Sequence, residues 1–600
     1  MRSTSLAPSC LLALFATVAT PVLLAAQQTP ARKSGELFRS ELDQFVGRLD
    51  AQSLVDRPQR HPLGGESTLA TAQILCAMGH GHRRYHIGDG PIVRPSLAFL
   101  LGKTDADSGF GDATTTGWVV EAMQVIDPVG CRRQIEAGRA RFQALGGTEL
   151  PWAASVAAIL AAKELPQDQG AAAQTRARSL LAAKGPLPLV EAAATMVHLA
   201  ACQVANKRLD QAALAKAAPA APAAAPAVAA APAPAPLPAN ASGHGALSPA
   251  QERGLAWLSA QTKDGVGFGD AQPNLPLTAI ALMALQTRPA ALRSPAERAA
   301  ITTGLRWLLT QQNEDGTFGD TLANYTTCAA VGALHTFDDP AVPAALQRAQ
   351  RAILSFQNCE QNGYASGDRD YGSIGYGGMT RGDLSNMNFA LQALQETGLP
   401  RNHEALQRAL VFLQRTQNLR ATNDYAGKAP DPERDGVILD TVPGDDGGAC
   451  YYPGNSSAGY VVRPDDTVIA RSYGSMTYAL LKCYSLAGLK ADDPRVAAAL
   501  RWLQQNWRLD ANPGAAPELG PKAAFQGLYY YYLLMAQALD SAGIDRLTVG
   551  DTAVDWRAAL RTQLESVQRT DGSWRNDQNG RWMESSALLC TAYALLALAR

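Results

Sequence analysis

The chain has 600 residues, too many for one ordinary hydrophobic core, so two folded units or one long repeat array are required. Its 53 basic and 54 acidic residues leave a net charge of −1, which excludes a basic field for nucleic acid or an anionic membrane surface. Hydrophobic residues make up 46%, with Ala and Leu prominent, as packed helices require.

In chain order, Arg2, the apolar run Leu11–Ala26 and the small pair Ala25-Ala26 read as an export signal over 1–26. The run is short of the roughly 20 apolar residues that a membrane span needs. No later segment is long and apolar enough to cross a bilayer, so a periplasmic or extracellular chain without a transmembrane span is expected. Residues 35–212 read as an N-terminal helical-repeat region, with apolar stretches at Ser67–Met78, Pro95–Leu101, Thr116–Ile126, Ala153–Ala162 and Leu189–Val204. Residues 213–246 read as a linker, since Ala217–Pro238 is almost pure Ala and Pro and proline blocks helix continuation.

Residues 247–600 carry a repeated phrase. Gln261-Thr-Lys-Asp264-Gly-Val-Gly-Phe268-Gly269 returns as Gln312-Asn-Glu-Asp315-Gly-Thr-Phe318-Gly319 and as Gln568-Arg-Thr-Asp571-Gly-Ser-Trp574. A weaker copy, Asp107-Ser-Gly-Phe110-Gly111, lies in the first half. An aliphatic helix precedes each phrase and an Ala/Leu-rich helix follows, at a period of about 50 residues. Six pairs are predicted, with outer helices Gln251–Ala260, Ala296–Gln311, Ala344–Phe356, His403–Gln417, Pro494–Trp507 and Trp556–Val567. Their inner partners are Leu277–Gln286, Tyr325–Leu334, Leu384–Glu396, Tyr473–Ala487, Gly527–Leu539 and Ser585–Ala599. Asp-Gly permits the tight turn between them, and the Gln or Trp before it is placed to staple an outer helix to its neighbour by hydrogen bonds and stacking. Six such hairpins can close into a ring, giving an all-α fold class: an α/α toroid preceded by a helical-repeat region.

The phrase resembles the glutamine–tryptophan repeats of squalene–hopene and other triterpene cyclases, whose toroid is shared by protein prenyltransferase β subunits. Arg471-Ser-Tyr-Gly-Ser-Met-Thr-Tyr-Ala-Leu480, Gln526-Gly-Leu-Tyr-Tyr-Tyr-Tyr532 and Thr591-Ala-Tyr-Ala-Leu-Leu-Ala-Leu598 resemble, more narrowly, the exported bacterial prenyltransferase and squalene oxidase repeat proteins. The resemblance implies a central cavity that binds a hydrophobic, isoprenoid-type ligand, with cyclisation as the first candidate chemistry. The alternative is a non-catalytic scaffold for protein or cell-envelope contacts.

Triterpene cyclases protonate an alkene from an Asp-x-Asp-Asp-Thr motif. The nearest match here is Arg463-Pro-Asp465-Asp466-Thr467, with a cation in place of the first aspartate. Asp465 and Asp466 are therefore catalytic candidates, although the same residues suit a solvated loop pair. Asp383 is the next, and a helix N-cap is its plainer role. Tyr473, Tyr478, Tyr529, Tyr530, Trp582 and Tyr593 are candidate ligand-binding rings, since aromatic faces line apolar cavities and stabilise cations. Glu584 reads as a helix-dipole partner or a cavity carboxylate.

No cofactor and no metal is expected. Cys590-Thr-Ala-Tyr593 puts cysteine where the prenyltransferase zinc histidine belongs, and reads as a core thiol. His80, His82 and His86 sit beside Arg83 and Arg84, which oppose a cation. Asn358-Cys359-Glu360-Gln361 lacks the glycine of a thioester motif. The sequence does not set the oligomeric state.

Overall fold

The computed structural model describes residues 37–54, 60–128, 130–217, 247–263, 265–269, 272–319, 322–377, 381–430 and 438–600. The export signal and most of the Ala/Pro linker lie outside the described residues.

The first half is helical: α1 (Arg39–Ser53), α2 (Thr68–His80), α3 (Arg94–Leu101), α4 (Ala113–Ile126), α5 (Arg132–Ala144), α6 (Pro151–Ala161), α7 (Pro166–Gln169), α8 (Ala171–Ala182) and α9 (Leu189–Ala217). Helix α2 is buried on most sides, between α4 and α9, because its Ala, Ile and Leu leave no polar face.

The second half alternates outer and inner helices. The outer helices are α10 (Pro249–Ser259), α12 (Pro295–Thr310), α14 (Val342–Ser355), α16 (Glu404–Thr416), α18 (Pro494–Gln505) and α20 (Trp556–Ser566). The inner helices are α11 (Leu275–Gln286), α13 (Ala323–Leu334), α15 (Leu384–Glu396), α17 (Gly474–Leu486), α19 (Leu528–Ser541) and α21 (Ala587–Leu598). Each inner helix packs on the next, and α21 packs back on α11. The six hairpins therefore close into a ring, and the chain is an all-α protein built on an α/α toroid. Outer helices such as α14 and α16 carry one apolar stripe and an Arg/Gln face. Inner helices are apolar nearly all round, because neighbours cover them on three sides.

The repeated phrase works as a staple. Gln312 Nε2 donates to Gly316 O at 3.1 Å and to Ala345 O of α14 at 2.9 Å. Gln357 makes the same pair of bonds to Gly372 and Ala405 of α16, Gln417 to Gly447 and Arg495 of α18, and Gln568 to Gly572 and Ala250 of α10. The Gln568 bond sews the last hairpin to the first. Glycine is required at the turn for two reasons. Gly316 has φ 89°, and a Cβ there would lie 2.4 Å from Arg348 O. The aromatic amide after the turn donates to a threonine on the following inner helix: Phe268 to Thr278, Phe318 to Thr327 and Trp574 to Thr591, all within 3.0 Å. Phe110 does the same with Thr116, so the first half repeats the device.

Short strands decorate the ring. β1 (Thr262–Lys263) and β2 (Gly267–Phe268) form one antiparallel pair within the first phrase. β3 (Gly427–Pro430), β4 (Ile438–Thr441), β5 (Tyr460–Val462) and β6 (Thr467–Ala470) form a sheet of order β3-β4-β6-β5, parallel only between β4 and β6. β7 (Arg546–Val549) and β8 (Thr552–Asp555) make a hairpin before α20. Among the described residues, no helix is long and apolar enough to cross a membrane.

Candidate functional site

Every inner helix is entered from the C-terminus of an outer helix, so all six begin at one end of the ring. The N-terminal helices cover this loop-rich end. Arg94 pairs bidentately with Asp368, Arg60 donates to Asn362 O at 3.2 Å, and Arg369 bridges Asp370 of its own loop to Asp89. The Arg83 guanidinium lies 5.8 Å from the Tyr376 ring centre, and its charge is balanced by Asp43. Burial alone would raise the Asp43 carboxyl. Arg83 and His82 outweigh it and hold Asp43 well below the usual carboxylate range.

Inside the ring, a stripe of residues on the innermost helices keeps partial exposure although neighbours surround those helices. It comprises Ile280 and Met283 of α11, Tyr325 of α13, Phe389, Gln392 and Glu396 of α15, Tyr530 and Gln537 of α19, and Tyr593 of α21. Spacings of three, four and seven place each set on one helix face. That face borders the lumen.

The lumen has two layers. Toward the covered end, Tyr325 Oη donates to Ser385 Oγ at 2.7 Å, and Tyr530 Oη lies 2.7 Å from the same oxygen. Phe389 packs edge-on against Tyr325 and stacks with Tyr530, which in turn tilts against Tyr593. Helices α15 and α19 are not neighbours in the ring, so the Ser385–Tyr530 contact reaches across the lumen itself. Burial raises the phenols of Tyr325 and Tyr530 well above their ordinary value, so both remain neutral donors.

Toward the other end the lining turns polar. Lys482 of α17 is 2% exposed, and its Nζ donates to Gln537 Oε1 at 2.6 Å. Tyr484, two residues on, reaches outward to Gln417 beyond the C-terminus of α16, so Lys482, about 200° round the helix, points inward. It also feels Glu396 on the opposite flank of α17. Burial lowers the Lys482 ammonium to about 8, against the smaller opposing pull of Cys483 and Glu396. Gln392 donates to Glu396 Oε1 at 2.6 Å, while Glu396 Oε2 is buried without a donor.

The site residues expected from sequence fall in different places. Asp383 is fully buried and is the N-cap of α15. Its Oδ1 accepts from the Asn386 amide at 2.9 Å, its Oδ2 accepts from Asn386 Nδ2 at 3.0 Å, and Arg381 stands 4.0 Å away. Asp465 and Asp466 form the exposed turn between β5 and β6. Asp465 accepts from the Thr467 amide and hydroxyl, the arrangement that Asp315 makes with Thr317 and Asp571 with Ser573. Asp466 has φ 57°, where those turns carry glycine. Tyr530 and Tyr593 lie in the aromatic layer. Tyr473 is the buried N-cap of α17, Tyr478 packs on Tyr531, and Tyr529 packs edge-on against Tyr532. Trp582 is 44% exposed on the loop before α21, with Arg581 over its ring. Glu584 accepts from the Tyr530 amide at 2.9 Å, capping α19 from the neighbouring hairpin where Gly527 offers no side chain. Burial raises its carboxyl to about 7 against the amides and Asn576.

The three histidines separate. His80 stacks on Trp152, His82 bonds Asp43, and His86 caps the 3-10 turn Ile87–Ile92. The eight described cysteines are free and buried, Cys590 among them. Sequence reasoning does not single out Phe389, Gln392, Glu396, Lys482 or Gln537. The available signal for Lys482 is a lone cation in the apolar run Tyr478-Ala-Leu-Leu-Lys-Cys483.

No family model matches the chain, and no curated protein matches it. Among solved structures, a protein from Actinoplanes is similar at 15% identity over 58% of this chain and 97% of its own, with a TM-score of 0.32. A type II terpene cyclase from Scytonema, in complex with its substrate geranylgeranyl dihydroxybenzoate, is similar at 14% identity over 54% of this chain and 99% of its own, with a TM-score of 0.21. The toroid rests on the ring geometry of this chain rather than on these distant likenesses.

Proposed function

We propose that the ring lumen binds a hydrophobic, isoprenoid-type ligand. The observation that supports this reading is the inward stripe. Ile280, Met283, Tyr325, Phe389, Tyr530 and Tyr593 sit on the innermost helices and keep partial exposure, although Tyr530 reaches across to Ser385 and Phe389, so the centre is lined by apolar groups without being fully closed. An apolar chain laid against these rings buries surface at about 25 cal/mol per Å². The reading stops at binding. Asp383 caps its own helix with both oxygens while its charge acts on the lumenal phenols of Tyr325 and Tyr530, and Asp465 lies in an exposed turn, so the reading assigns neither a proton transfer.

The test is equilibrium dialysis of the full chain against radiolabelled geranylgeraniol and squalene, with native mass spectrometry of the purified protein. Saturable one-to-one uptake, weakened about tenfold or more by Phe389→Ala or Tyr530→Ala, is the expected result. No uptake, or uptake indifferent to both substitutions, overturns the reading in favour of a scaffold.

A further inference from the structure

The polar layer has a chemistry of its own. Lys482 Nζ carries three N–H donors and spends one on Gln537. The Gln537 side-chain amide keeps its own N–H donors beside it. Glu396, whose charge Lys482 feels from the far flank of α17, keeps Oε2 buried beside Gly332 of α13 with no donor, while its other oxygen is held by Gln392. Donor and acceptor capacity are therefore both left open, on opposite flanks of α17 and on its lumenal side. Elsewhere in the ring, the buried glutamines of the staple place their amides on two carbonyls each.

We propose that this gap seats the hydroxyl of a long-chain terpenoid alcohol, whose hydrocarbon chain runs up into the aromatic layer. The proposal rests on the lumen-binding reading above and adds the end group and its direction. A hydroxyl both accepts and donates, so it takes an N–H of Lys482 or Gln537 and gives its own hydrogen to Glu396. A carboxylate would meet Glu396, and an ammonium would meet Lys482, each at close range in a low-dielectric setting. A hydrocarbon end would leave buried donors and an acceptor unpaired, which a site built for hydrogen bonding discriminates against strongly. The depressed Lys482 ammonium accords with this, since a buried cation held without a direct carboxylate partner destabilises the fold and is retained for a ligand.

The experiment is equilibrium dialysis of the full chain with four probes: geranylgeraniol, the same chain with hydrogen in place of the hydroxyl, geranylgeranoic acid and geranylgeranylamine. The alcohol is expected to bind at least about tenfold tighter than each of the others. Lys482→Met and Glu396→Gln should each erase most of that preference, Lys482→Met in part by tightening the hydrocarbon, which then leaves fewer buried donors unpaired. Equal binding of alcohol and hydrocarbon by the unmodified protein overturns the inference alone, and needs no variant. Preference for the acid or the amine overturns it too, by assigning the layer to Lys482 or Glu396 acting singly. Failure of all four probes to bind removes the lumen reading and this inference together.

Discussion

Lys482→Met should stabilise the protein. The ammonium is buried on an inner helix, and burial takes it from 10.5 to about 8. At about 1.4 kcal/mol per unit, the charged form carries a penalty of about 3 kcal/mol at neutral pH. Methionine has similar length and no charge to desolvate. Losing the bond to Gln537 leaves Oε1 without its donor and gives back about 1 kcal/mol. The net gain is about 2 kcal/mol, or roughly 3 °C in Tm for a unit of this size. The sign with pH is opposite to that of an ordinary ion pair. Between about pH 8 and 10.5 the unfolded chain binds the proton that the folded chain has released, so wild-type stability rises over that window. The gap to Lys482→Met should therefore be widest at pH 7 and close toward pH 10. Differential scanning calorimetry of wild type, Lys482→Met and Lys482→Arg over that range measures it, with arginine expected to show no gain. A methionine variant less stable than wild type, or a gap indifferent to pH, would refute the desolvation argument.

Three other outcomes follow from the geometry. Gln568→Ala removes three hydrogen bonds, those to Ala250 and Gly572 and the one accepted from Arg253, and should cost about 1–3 kcal/mol in urea unfolding. Glu584 titrates near 7 in the folded chain, so between pH 4.5 and 7 the native state holds the extra proton and stability falls as pH rises. Glu584→Gln should flatten that slope in thermal melts. Asp383→Ala removes the α15 cap and should cost about 1–2 kcal/mol by chemical denaturation, while hydrocarbon uptake in the dialysis assay survives.

The ring is legible in the sequence because its signals are local and repeated. A glutamine, an Asp-Gly turn and an aromatic at fixed offsets mark three of the six hairpins, and each residue has a single physical role. Gln312 staples, Gly316 turns, and Phe318 anchors to Thr327. The lumen is legible only in part. Four consecutive tyrosines point four ways, and the sequence cannot tell that Tyr530 faces inward while Tyr531 and Tyr532 bond to Arg508 O and Leu509 O. Helix phase fixes that, and phase shifts by a full face with an error of two residues. The polar layer joins three helices through Glu396, Lys482 and Gln537, which stand far apart in the chain and carry no shared spacing. The sheet of β3 to β6 leaves no sequence signal because its strands have three or four residues each, too few for alternation to register.

The seam at Gln568 has a mechanical consequence. Hoops, unlike rows, transmit a change of thickness round their whole circumference. A methyl added or removed between any two hairpins must be absorbed by all six. The bore of the ring is then a shared property of the circle, and its width can change through substitutions that never touch the lumen.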